Sequence, residues 1–166
     1  MPHGEPPNDQ AGQRDKPGEF ELGTDGPSVI LVGIDDTVTS LRAAAYAAGL
    51  ARRQHARVVA VYVAPVGSAV AASPVGASVL AAEAAAHDEL AANLRERAER
   101  TAAELGIPVT FVTAHGDPYH EIKRVAEETR ADAIVVGASA QAGHRLIGSL
   151  AVRLVRAGRW PVTVVP

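Results

Sequence analysis

Five short apolar runs rich in β-branched residues, separated by four longer amphipathic stretches rich in alanine, constrain this chain more than any other feature. Ser28 to Gly33 is continuously apolar, the pattern of a strand buried on both faces, and Thr39 to Gln54 then places Leu41, Ala44, Ala45, Ala48 and Ala51 at helical spacing. Arg57 to Ala64 is a second buried strand, ended by Pro65 and followed by a loop of Gly, Ala, Ser and Pro through about Ser78. Leu80 to Leu105 carries Leu90, Leu94, Ala98, Ala102 and Leu105 on one helical face and is stopped by Gly106. Pro108 to Thr113 is the third strand, and Asp117-Pro118 opens a helix reaching about Arg130, with an N-cap and a first-turn proline. Ala133 to Gly137 is the fourth strand, Leu146 to Ala157 the last helix before Gly158, and Pro161 to Val165 the fifth strand.

The order βαβαβαβαβ predicts an α/β fold, an open, doubly wound five-stranded parallel sheet with helices on both faces. A crossover helix is the ordinary way to return a chain to the same edge of a sheet. In such sheets ligands bind beyond the carboxyl ends of the strands, where the strand order reverses. The residues that follow the strands are therefore the ones to weigh: Asp35-Asp36-Thr37, Val63-Ala64-Pro65, His115-Gly116-Asp117, and the loop from Gly137 to Ser149.

That last loop follows an apolar strand with small residues and leads into a helix. Small side chains let main-chain amides approach an anion, and a helix start offers unpaired N–H groups and positive dipole potential. His144-Arg145 stands just before the helix, where the dipole disfavours cations, so the pair either marks an anion or extends into water.

The length of 166 residues, 47% of them hydrophobic, predicts one domain with a sizeable core. Residues 1–27 mix proline, glycine and charge without periodicity and read as a disordered tail, leaving 28–166 as the folded domain. A net charge of −3 supplies no field to gather nucleic acid or an anionic membrane. No segment reads as a secretory signal or a membrane span, so a cytoplasmic location is expected. The absence of cysteine excludes disulfides, thiolate metal sites and cysteine nucleophiles.

From Ser28 to Pro166 the chain resembles the universal stress protein family. It carries Val-Gly-Ile-Asp-Asp at the first strand, Ala-Ile-Val-Val-Gly at the fourth, and Gly-Ser followed by Trp-Pro-Val-Thr-Val-Val at the end. The resemblance implies a Rossmann-like sheet of the adenine-nucleotide alpha hydrolase type. It also implies ATP as the cofactor of nucleotide-binding members, held by a loop of pattern G-x-x-G-x9-G-[ST], an acidic residue after the first strand and main chain near the end of the second. On these positions Asp35 would face the ribose or adenine, Val63 would offer main-chain groups to the base, Gly137 would be the first motif glycine, and Gly148-Ser149 would meet the phosphates. Ala140 replaces the second glycine, and the interval from Gly137 to Gly148 is two residues shorter than the pattern, as in the branch of the family that does not bind ATP. A Cβ at Ala140 obstructs a positive φ or a phosphate lying on the backbone, and lost arc length cannot wrap three phosphates. The reading is a stress-response binding or regulatory module with weak or lost ATP binding. The alternative is a genuine ATP-binding switch in which Arg145 replaces the missing glycine contacts.

Other residues carry simpler readings. Asp35 and Asp36 are adjacent on an extended segment and diverge, so they do not converge on one ion, and Asp36 or Thr37, with Asp36 preferred, is expected to cap the first helix. His115 beside Asp117 looks catalytic, but Asp117 is already used as a cap. His55 falls at a helix end and His87 on a helix surface, and no His, Asp or Glu spacing predicts a metal. Arg145, Arg156 and Arg159 project to one side of the last helix, with Arg156 and Arg159 complementing its negative end. Ser149 has no identifiable base beside it, no P-loop lysine motif occurs, and the chain is not expected to be an enzyme. The last strand, Val-rich with proline only at its ends, is expected at a sheet edge. There the resemblance implies an antiparallel homodimer across a two-fold axis.

Overall fold

The computed structural model describes residues 26–66, 74–138 and 149–166. The expected tail thus falls outside the described residues except for Gly26 and Pro27, as do Ala140, Arg145 and Gly148. Five strands and four helices alternate: β1 (Val29–Ile34), α1 (Val38–Gln54), β2 (Arg57–Ala64), α2 (Pro74–Leu105), β3 (Val109–His115), α3 (Pro118–Thr129), β4 (Ala133–Gly137), α4 (Ser149–Ala157) and β5 (Val162–Val165). The strands form one sheet in the order β3-β2-β1-β4-β5. Every pairing is parallel, with Leu31 opposite both Val59 and Ile134. The α/β, doubly wound expectation is met, and the order reverses between β1 and β4.

The apolar runs divide by parity, because successive side chains in a strand point to opposite faces. Ile30, Val32 and Ile34 of β1 join Val58, Ala60 and Tyr62 of β2 in a core with Ala43, Ala47 and Ala51 of α1 and Leu94 of α2. Leu31, Val59, Val61, Ile134 and Val136 face the other way, onto Ile122 and Val125 of α3 and Leu154 of α4. Ile30, Leu31, Ile134 and Leu154 are fully buried. Each such burial is worth about 1.5–3 kcal/mol relative to exposure. Central strands covered on both faces have no polar side to show, which is why their sequences do not alternate.

Three local expectations are corrected. Helix α2 starts at Pro74, not near Leu80, so the expected loop through Ser78 is shorter. Proline lacks an N–H, but the first turn of a helix has no intrahelical acceptor for one, so Pro74 opens the helix instead of forbidding it. The cap of α1 is Thr37, not Asp36. Thr37 has extended backbone (φ −71°, ψ 154°) and its side chain accepts from the Ser40 amide, whereas Asp36 has φ 64° and turns the chain out of β1. Strand β3 also runs two residues further than expected, to His115.

Candidate functional site

The carboxyl ends of β1 and β4 and the first turn of α1 meet at the switch point. Asp35 follows the last residue of β1, and its amide donates to Ser40 Oγ at 3.2 Å. Its carboxylate oxygen Oδ1 accepts from the Thr37 amide at 3.1 Å and the Thr37 hydroxyl at 2.6 Å. Ser40, the buried polar residue of this junction, donates its hydroxyl to the Thr37 carbonyl at 3.0 Å. These bonds lock the β1–α1 turn and commit one carboxylate oxygen of Asp35 to it. Asp36 turns the opposite way and pairs with Arg97 of α2 at 3.2 Å, so the two aspartates do diverge as adjacent residues should.

Gly137 ends β4 directly beneath the start of α1. A Cβ there would stand 2.6 Å from both the Ser40 amide nitrogen and the Thr39 carbonyl carbon, closer than atoms approach. This glycine is required for helix-on-strand packing, a use of glycine separate from phosphate contact. Val63 stands one residue past the last β1–β2 pair, Ile34 opposite Tyr62, while still paired with Ala114 of β3. The structure thus brings Asp35 and Gly137 to one crevice at the β1 and β4 ends, with Val63 at the adjoining end of β2. Ser149 begins α4, and its side chain lies outside the described part, as do Arg145 and Gly148.

Two residues the sequence did not mark stand beside this crevice. The Tyr62 hydroxyl and His87 Nδ1 are 2.7 Å apart, joining β2 to α2. Burial, and then the negative charge of Asp35, push the Tyr62 phenol above its ordinary pKa. Both residues looked like core and surface positions, and only folding brings them together. Asp117 has a structural role. It caps α3, accepting from the His120 amide at 3.1 Å with one oxygen and from Arg153 of α4 at 3.0 Å with the other. The Arg153 hydrogen bond holds its carboxyl below the usual carboxylate value. His115 ends β3 in an exposed position. Arg159 bonds Glu127 of α3 at 2.5 Å. Among the described residues, no group of three or more His, Cys, Asp or Glu is placed to hold a metal ion. No described helix is long and apolar enough to cross a membrane.

Residues 28–166 match the model of the universal stress protein family. A universal stress protein of Methanocaldococcus jannaschii is 31% identical over 138 residues, covering 82% of this chain and 80% of that protein. A solved structure from the same family, from Burkholderia pseudomallei, has a TM-score of 0.68 and 29% identity over 84% of this chain and 96% of its own. A universal stress protein solved in complex with cAMP has a TM-score of 0.64 at 23% identity, over 84% of this chain and 97% of its own. With its doubly wound sheet, its acidic residue after β1 and its glycine under the first turn of α1, the chain belongs to the universal stress protein family.

Proposed function

We propose that this universal stress protein is a dimeric binding or regulatory module of the cytoplasm in which ATP binding is weak or lost and no reaction is turned over. The observation that carries the reading is the state of the glycine pattern. Gly137 is kept, and its packing against Ser40 and Thr39 is reason enough to keep it. The second glycine of the family's ATP loop is Ala140 here, and the interval to Gly148 is two residues short of that loop. Asp35 supports the same reading, since Oδ1 already serves Thr37.

Asp35 and Val63 are the described positions that would meet the base and ribose end of an adenine nucleotide, and the loop that would meet its phosphates lies outside the described residues. Val63 extends beyond the β1 ladder, and the second oxygen of Asp35 is not used by Thr37. The second reading, an ATP-binding switch held by Asp35, Val63, Gly137, Arg145, Gly148 and Ser149, draws on those two positions and on the relative solved with cAMP. For the dimer, support comes from β5, which is an edge strand. The carbonyls of Pro161, just before β5, and of Val165 accept from Ile134 of β4 and from Ala138 just after it, so the main-chain groups of Val162 and Val164 turn to the open side. A second β5 in antiparallel register satisfies them. Native mass spectrometry of freshly purified protein tests both parts at once. The expected spectrum shows a dimer with no nucleotide mass; a monomer, or retained ATP, contradicts the proposal.

A further inference from the structure

Away from the crevice, helices α1 and α2 diverge above the sheet and leave a cavity of about 190 Å³ between them. Ala44 and Ala48 of α1 and Ala98 and Ala102 of α2 are among its lining residues, and their short side chains fill little of the space. Val32 and Ile34 of β1 form part of the floor. None of Asp35, Val63 and Gly137 lines this space, so it is separate from the switch point. The space is partly open to solvent and mostly apolar in its lining, so an apolar group seated in it leaves water for dispersion contact.

The lining is apolar except at one side, where Arg97 and Thr101 of α2 stand one helical turn apart. Among the described residues Arg97 gives a single bond, Nη1 to Asp36 Oδ1 at 3.2 Å, and its side chain is half exposed. A guanidinium carries five donors in a planar fork, so most of them remain for a planar anion. From this polarity we infer that the α1–α2 cavity binds a small amphiphilic monocarboxylate, its apolar body between the alanine faces and its carboxylate on Arg97 with the Thr101 hydroxyl alongside. A cavity of about 150 Å³ takes benzene, so the apolar body is a single ring or a chain of roughly six to eight carbons. A carboxylate matches the fork bidentately, and its charge is what a neutral alcohol of the same length lacks. Asp36 competes for the same guanidinium and weakens the site.

The test is titration of the full chain with octanoate, and separately with 1-octanol, followed by amide chemical shifts and by melting temperature. Octanoate is expected to bind saturably, to shift amides of α1 and α2 around Ala48 and Ala98, and to raise Tm. Arg97→Gln should weaken octanoate at least about fivefold and leave octanol unchanged, and Asp36→Asn should tighten octanoate, since these changes act on the charge pairing alone. Ala98→Leu, which fills the gap, should abolish binding of both while leaving the protein folded by circular dichroism. Non-saturable binding, shifts elsewhere, or octanoate affinity unmoved by both Arg97→Gln and Ala98→Leu would overturn the inference. So would octanoate binding seen only in a Phe20→Ser, Leu22→Ser chain, which would make the chain's own amino-terminal residues the occupant. Binding seen only when dilution dissociates the protein would overturn it in favour of a second copy.

Discussion

Gly137 and Ser40 are packed so closely that a β-carbon on the glycine would lie 2.6 Å from the serine amide nitrogen. Helix α1 therefore begins on top of the last residue of β4. The listener for a change at Gly137 is the whole α1–β4 contact. Ser40 cannot yield alone, because its amide is bound by Thr37 Oγ1 and its hydroxyl by the Thr37 carbonyl.

Gly137→Ala should accordingly destabilise the fold by about 1–3 kcal/mol, the usual cost of overpacking. Urea denaturation measures it as a lower midpoint at unchanged slope. A change under about 0.5 kcal/mol, the range of ordinary surface substitutions, would mean that α1 moves aside freely.

Tyr62 should titrate late. Its phenol is pushed up, by burial first and by Asp35 second. A raised folded value means that the folded state holds the proton more tightly than the unfolded chain. The stabilisation is thus complete below the ordinary phenol value of about 10 and is lost as pH rises through the folded value. Absorbance at alkaline pH should show a delayed tyrosine phase that Tyr62→Phe removes.

Asp117 gives the opposite pH dependence. Arg153 lowers its carboxyl, so its contribution is present above the ordinary carboxylate value and lost as pH falls through the folded one. Asp117→Ala should cost about 1 kcal/mol at neutral pH through the lost cap. Asp117→Asn keeps a capping oxygen and loses the charge, so its smaller deficit should vanish in acid. Denaturation at pH 7 and pH 2.5 separates the two variants.

Most of the fold was legible because each strand and helix announces itself locally. Parity of burial in β1 and β2, the stop after α2 and the Asp117 cap all follow from neighbours within a few residues. Asp36 was misread because capping and turning use the same residue types, and the choice between them rests on a single φ angle. Pro74 was misread because a proline's sign depends on whether it stands inside a helix or at its first turn. The Tyr62–His87 bond joins residues 25 apart in sequence, and the Asp36–Arg97 pair joins residues 61 apart, so no local pattern marks either. Gly137 was visible as a motif position, but its packing role needed the neighbouring helix to be placed.

Val164→Pro should convert the proposed dimer to a monomer while leaving the sheet intact. The amide it removes points away from β4, by the alternation of main-chain groups along β5, so the internal ladder loses nothing. Sedimentation of both proteins at matched concentration checks this. Wild-type protein that is monomeric at high concentration would remove the β5 interface from the account.

Calorimetric titration of the full chain with ATP and Mg²⁺ is the most direct measure of whether the altered glycine loop still holds a nucleotide. No saturable heat is expected, or a dissociation constant of about 1 mM or weaker, near −4 kcal/mol. A constant of about 1 μM, weakened by Asp35→Ala, would contradict it and establish the chain as an ATP-binding switch.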